Sequence, residues 1–263
     1  MKFTFPGPGC GYSLHNHSVF SDGADSLEDM VIAGKKSHVK VLGISDHWAE
    51  VPYDNTDYRE WTMDHGRLNE YVDSLLQLKQ KYEDDDFQLK LGLEVDFFFE
   101  NIAQVAARLK EYPFDYLIGS VHYCGVFSVD HAREDWLPLS EEEKAAICQQ
   151  YYQKLQGAAE CGVFTFLGHL DLPKKFGMID NSLYYDHAVK ILDAVQKHSG
   201  AIELNTSGWF KPCAEPYPGA DILQEALRRK IPIVVSADAH CAEHLQRNFA
   251  EAYELLHQLP VTQ

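Results

Sequence analysis

The chain lacks the features that would tie it to a membrane, to nucleic acid or to an oxidising compartment. None of its apolar runs approaches the roughly 18 residues needed to span a bilayer. Its opening, MKFTFPGPG, has neither the basic n-region nor the long apolar stretch of a secretory signal. These absences lead us to expect a soluble, cytoplasmic protein that does not engage a membrane. Cysteine is sparse: Cys10, Cys124, Cys148, Cys161, Cys213 and Cys241 stand singly, with no Cys-x-x-Cys pair. A disulfide framework belongs to small secreted chains, so reduced thiols are expected. Basic residues are outnumbered, 23 against 40 acidic ones, for a formal net charge of −17. Nucleic-acid surfaces need a basic face, so the balance speaks against that class of partner and none is expected. A small anionic substrate is not excluded, because bound divalent cations reverse the field locally and do not enter the count. No repeat, linker or low-complexity segment divides the chain, so one domain over residues 1–263 is expected.

Seven short apolar runs read as strands: Tyr12–His17, Val41–Ser45, Leu89–Val95, Tyr116–Val121, Phe164–Leu167, Ala201–Asn205 and Ile233–Ala237. Between them lie stretches of helical period. Ser26 is placed to cap a helix carrying Leu27, Met30, Val31 and Gly34 on one side. Met63–Tyr82, Asn101–Glu111, Glu141–Cys161, Ser182–Ser199, Asp221–Lys230 and Glu243–Gln258 repeat the theme. Strand alternating with helix predicts a parallel sheet. The acidic stretch Glu83–Asp86 reads as a solvated turn.

What marks the chain is where its His, Asp and Glu residues fall. The run ends carry His15 and His17, Asp46 and His47, Glu94 and Asp96, His122, His169 and Asp171, Glu203 and Asn205, and Asp238 and His240. An open doubly wound sheet draws its ligands from two or three strand ends. Polar residues at all seven fit a closed barrel with its site at the C-terminal rim. The expected fold is therefore α/β, a distorted seven-stranded TIM-like (β/α)7 barrel. Imidazoles and carboxylates are ligands of hard and borderline divalent metals, so the convergence predicts a hydrolytic centre with more than one ion.

Residues i and i+2 of a strand face the same way, so His15 and His17 can serve one ion, and Asp238 and His240 repeat that spacing. Two surface histidines would look like His-x-His too, and Asp22 in SDG is by itself an ordinary turn aspartate. Adjacent residues point apart, so of Asp46 and His47 one is expected to ligate while the other orients a neighbour or caps the loop. Glu94 lies among Leu91, Leu93, Val95 and Phe97, where an uncompensated carboxylate costs several kcal/mol; a metal or a cationic partner relieves that cost. Asp96 is either an outer acceptor or a ligand. His38, His65, His131, His187, His198, His244 and His257 fall on predicted helices or loops and are read as ordinary.

Taken together, HNH, SDG, SDH, GLEVD, GSVHY, GHLD and SADAH resemble the PHP (polymerase and histidinol phosphatase) superfamily, from about His15 to His240, and within it the histidinol-phosphate phosphatase branch. The resemblance implies a trinuclear cluster of Zn, Mn or Fe. Carried over, it puts His15, His17, Glu94 and Asp238 on a first ion. Glu94 bridges to a second held by His122 and His169, and Asp22, His47 and His240 hold the third. It implies hydrolysis of a small phosphorylated substrate, L-histidinol phosphate, in histidine biosynthesis; another PHP phosphoesterase acting on nucleotides or other small phosphorylated metabolites is the alternative. Lys175, with Lys174 as its alternative, is the candidate phosphate contact. Asp171 or a water is the candidate proton donor to the leaving group, and Glu203 and Asp96 are candidates for the cationic aminoalcohol. After NTSG the family tends to carry a basic residue, where this chain reads Trp209-Phe210-Lys211; Lys211 is the candidate replacement. A metal-dependent amidohydrolase also begins with His-x-His, but often joins its metals with a modified lysine, and no strand-end lysine stands in that place.

Overall fold

The structure, a computed structural model, describes residues 11–54, 57–198 and 200–260; Cys10 and Ser199 lie outside them. The chain forms two compact units; two of the three divisions fall inside strands, after Ile118 and before Ser236, and the third inside the last helix, after Phe249.

The first unit holds the described residues up to Ile118 together with Ser236–Phe249. Its strands are β1 (Tyr12–Ser13), β2 (Val41–Ile44), β3 (His47–Trp48), β4 (Gln88–Asp96) and the start of β5 (Tyr116–Ser120). β1, β2 and β4 pair in parallel, with Tyr12 opposite Val41 and Leu42 opposite Leu89, and Asp115 N donates to Leu91 O where β5 begins. Between them run α1 (Leu27–Lys36), α2 (Leu68–Tyr82) and α3 (Ile102–Leu109). Ser26 caps α1 by accepting from Asp29 N, and Leu27, Met30, Val31 and Gly34 are all buried. In α2, Leu68, Tyr71, Val72 and Leu75 form the buried stripe.

The predicted start of α2 at Met63 is corrected to Leu68. Residues 63–67 instead form a turn whose Met63 N donates to His47 O and whose Asp64 side chain caps a single 3-10 turn. β3, missed as a strand, pairs with β4 with His47 opposite Glu94.

The second unit holds Gly119–Val235 and the described residues from Ala250. Gly168 N donates to Gly119 O of β5, β8 (Phe166–Leu167) pairs in parallel with β9 (Ile202–Asn205), and Ile202 N bonds Pro232 O beside β10 (Ile233–Ser236). A hairpin, β6 (Tyr123–Cys124) and β7 (Phe127–Ser128), turns at Gly125, where φ is +59°. The helices are α4 (Arg133–Trp136), α5 (Glu141–Glu160), α6 (Tyr185–Lys197), α7 (Ala220–Arg228) and α8 (Phe249–Gln258). Ser140 and Glu143 close a capping box on α5. The final helix begins at Phe249, not at the predicted Glu243, because Asn248 takes a left-handed φ of +60° that no helix continues through. Among the described residues no helix is long and apolar enough to cross a membrane.

Candidate metal centre

Seven of the nine sequence-predicted ligands lie in the first unit, and the structure brings them together. β1 ends at Ser13, but its direction continues as far as a parallel bridge between Asn16 and Ala239. His17 N donates to Ala239 O at 2.8 Å and Ala239 N to His15 O at 3.1 Å, so Asp238 and His240 flank the same residue that His15 and His17 grip. Asp238 holds a left-handed φ of +51°, a conformation Asp tolerates better than most residues, and strain of this kind is common where side chains must be aimed.

Four ligand atoms form the inner set. His15 Nε2 is 3.2 Å from Glu94 Oε2 and 3.5 Å from Asp238 Oδ1, while His17 Nε2 is 3.6 Å and 3.0 Å from the same two oxygens. Ligands around an ion at 2.0–2.1 Å lie about 3.4 Å apart in a tetrahedron; these four distances are of that size, and His15, His17 and Glu94 offer atoms all within 4.8 Å of one another. His15, His17 and Glu94 side chains are fully buried. The charge states also suit a cation. Burial, then the neighbouring His47 and His240, push His17 down to about 3, leaving it neutral. Burial works to raise the Asp238 carboxyl, but His15, His17 and His240 outweigh it and hold it well below the usual range.

An outer set lies alongside. Asp22 Oδ1 is 3.6 Å from His47 Nε2 and Asp22 Oδ2 is 3.3 Å from His240 Nε2. The His17 ring stacks on His47 at 4.1 Å and on His240 at 4.3 Å. His47 presents Nε2 to Asp22 while its Nδ1 meets Glu94 Oε2 at 2.7 Å, so one ring serves both sets. Burial acts to lower His240, but Asp22 and Asp238 hold it up to about 9; an ion there displaces a proton, as metal binding to histidine ordinarily does. The choice left open at Asp46-His47 resolves cleanly. His47 faces the cluster and Asp46, fully buried, caps the loop: it accepts from Ser18 N, Ser18 Oγ, Ser21 N and Ser21 Oγ. Asp96 is buried at the end of β4.

The other two predicted ligands lie in the second unit. The rings of His122 and His169 are 5.0 Å apart. His169 has a φ of +22°, its N–H donates to Glu203 Oε2 at 2.8 Å, and its carbonyl accepts from Tyr151. Glu203, also bonded by Asn205, is fully buried. Lys175 Nζ donates to Asp130 O at 2.7 Å and Oδ2 at 3.2 Å. Lys174 is buried between Asp171 at 2.8 Å and Glu215 at 3.0 Å, and Gly219 N donates to Asp171 Oδ2. Lys211 is exposed after the turn Thr206–Phe210.

Asp130 was missed by sequence reasoning. Val129 N closes on His122 O, which brings Asp130 near the histidines. Burial acts to raise its carboxyl, but Lys175, His122 and His169 hold it below the usual range. Strands as short as those of this hairpin give no period to read, so no signal marked it.

Parallel strands whose ends carry histidines and carboxylates at ligand spacing define a candidate metal centre in an α/β protein. The PHP domain family matches residues 13–207, and the chain belongs to that family. A probable histidinol-phosphatase of Deinococcus radiodurans is 38% identical over 192 residues, covering 73% of this chain and 72% of the relative. A histidinol-phosphatase of Bacillus subtilis is 28% identical over 249 residues, 87% of this chain and 92% of its own. Among solved structures, the histidinol phosphate phosphatase of Lactococcus lactis, complexed with zinc, L-histidinol and phosphate, superposes with a TM-score of 0.79 at 21% identity, over 96% of this chain and 95% of that one. The expected fold, a mostly parallel seven-stranded barrel of PHP type, is thereby shown.

Proposed function

We propose that this chain is a metal-dependent phosphomonoesterase that converts L-histidinol phosphate to L-histidinol and inorganic phosphate in the cytoplasm. It would use three divalent ions: one on His15, His17, Glu94 and Asp238, one on Asp22, His47 and His240, and one involving His122 and His169. The observation that carries the reading is the inner donor set, in which both histidine nitrogens lie at ligand spacing from the same two carboxylate oxygens. The names of the relatives supply the substrate.

A phosphomonoester carries close to two negative charges at neutral pH and repels anionic attack. The ions, when bound, act as Lewis acids and lower the pKa of a water toward ~7. His/Asp/Glu sets accept Zn, Mn and Fe alike. The chain's own residues bind, aim and shield. Glu203 holds the His169 backbone and Tyr151 its carbonyl, which fixes the direction of that imidazole. Lys175 keeps an ammonium beside Asp130 for the phosphate, with Lys211 as a second cation. Lys174 is buried between two carboxylates, Asp171 and Glu215, whereas Lys175 faces one, Asp130, and is more exposed, so we assign the phosphate to Lys175 and give Asp171 the task of holding Lys174 and Gly219 N. The leaving alkoxide then takes its proton from water. Asp96 is the carboxylate we assign to the substrate's ammonium.

The test is phosphate release by the zinc- or manganese-loaded chain from a panel of phosphate esters. Preference for histidinol phosphate is expected. Stronger turnover of a nucleotide or sugar phosphate would reassign the substrate, and no release from any ester would reject the phosphatase reading.

A further inference from the structure

The two ligand sets of the first unit differ in how they meet solvent. In the inner set His15, His17 and Glu94 side chains are fully buried and Asp238 is 17% exposed, whereas in the outer set His47 is 8% exposed but Asp22 and His240 are 30% and 40% exposed. Asp22 also comes from no strand. It sits in a turn, Ser18–Gly23, in which Ser21 N and Gly23 N both bond Ser18 O. A carboxylate on a surface turn is a poor ligand unless something fixes the turn.

Asp46 does so. Its Oδ1 takes hydrogen bonds from Ser18 N at 2.8 Å, Ser21 N at 3.1 Å and Ser21 Oγ at 2.6 Å, and its Oδ2 takes one from Ser18 Oγ at 2.8 Å. Four donors on one buried carboxylate tie both ends of the Ser18–Ser21 stretch to the start of β3. Gly23 completes the turn: a Cβ there would sit 2.5 Å from His17 O, so the backbone passes closer than any side chain allows.

We propose that Asp46 is the positioning residue of the outer site. By fixing the turn that carries Asp22, it sets how tightly the outer ion is held, and that ion exchanges with solution more readily than the more deeply buried inner one. The inference rests on the ligand assignment above, but its test reads metal directly, so the identity of the phosphoester does not enter.

The full chain is loaded with zinc, desalted, and challenged with a graded zinc chelator, and zinc per chain is counted by mass spectrometry. In the wild type one zinc should leave at lower chelator strength than the rest, and His240→Ala should lack that zinc from the outset. Asp46→Ala should release the same zinc with a 10- to 100-fold weaker affinity, the range roughly expected for an outer-shell partner. The remaining zinc should hold at wild-type chelator strength. Asp46→Asn, whose amide oxygen still accepts the three Oδ1 bonds, should recover most of the loss. Ser21→Ala, which removes one donor, should shift the same zinc less. Equal weakening of all zinc in Asp46→Ala, or wild-type retention in both Asp46→Ala and Ser21→Ala, overturns the proposal. Should Asp46→Ala not fold, Ser21→Ala decides alone: unchanged retention overturns it. Full zinc content in His240→Ala rejects the ligand assignment itself.

Discussion

His17 shows what a single residue does in this centre. It is neutral because it is buried between His47 and His240, and its Nε2 meets Asp238 at 3.0 Å. Truncation would remove a proposed ligand while deleting only polar surface from a cluster of other polar groups. His17→Ala is therefore expected to cut phosphate release by more than about 100-fold with little change in far-UV circular dichroism, and Asp238→Ala should behave alike. Near-wild-type turnover in either would remove it from the ligand set. Cys148 provides a residue outside the chemistry. Burial pushes its thiol up to about 12, so alkylation at pH 8 should spare it in the folded chain and reach it only after denaturation. Strand period two made the His15–His17 and Asp238–His240 pairs legible, and ligand-type side chains ending apolar runs marked His47, Glu94, His122 and His169 as candidates; Asp22, on a turn, came in only through the family resemblance. Asp130 was not legible, and the Asp46-His47 pair left open which of the two caps the loop. Both turn on chain closures, Val129 N onto His122 O and Ser21 N onto Ser18 O, that no residue period announces.

Elements repeat this division between what is periodic and what is not. The buried stripes of α1 and α2 follow the 3.6-residue spacing, whereas the starts of α2 and α8 were set by a capped turn at Asp64 and a left-handed Asn248. The glycines of β2 and β4 carry a constraint that no pattern shows. The Tyr116 ring lies across both, so a Cβ on Gly43 would fall 2.2 Å from its hydroxyl and one on Gly92 2.3 Å from its Cζ. Tyr116 donates to the Leu14 carbonyl, just before His15. Gly92→Ala should thus destabilise by about 1–3 kcal/mol in urea unfolding, and adding Tyr116→Leu should return part of that loss. A Gly92→Ala protein of unchanged stability would show that the ring moves freely. On α7, Glu225 accepts from Arg228 and Arg229, which hold it at about 2 against an ordinary 4.5. A depressed carboxyl adds stability above the unfolded-state value, and that stability is lost as pH falls through the folded one. The penalty of Glu225→Gln should accordingly be fully present at pH 6 and fade between about 4.5 and 2. A penalty independent of pH in that window would break the pairing argument.

At the scale of the whole molecule, a formal charge of −17 and several buried carboxylates are tolerable only with compensation. Glu94 and Asp238 stand among the imidazoles of His15, His17, His47 and His240, and the inner His15, His17 and Glu94 atoms lie close enough together for one ion before any cation enters. Ions that bind the folded chain and not the unfolded one stabilise by mass action, about 2.7 kcal/mol for one site at a hundredfold excess over its Kd. Chelation should lower Tm and abolish phosphate release together, and zinc or manganese should restore both. His17→Ala should erase most of the metal-dependent rise in Tm, since it removes an inner ligand. Glu225→Gln, which touches no ligand, should leave that rise intact at neutral pH. A Tm indifferent to chelator and metal would mean that the buried carboxylates are balanced by the histidines alone, and the ions would then contribute to chemistry without holding the fold.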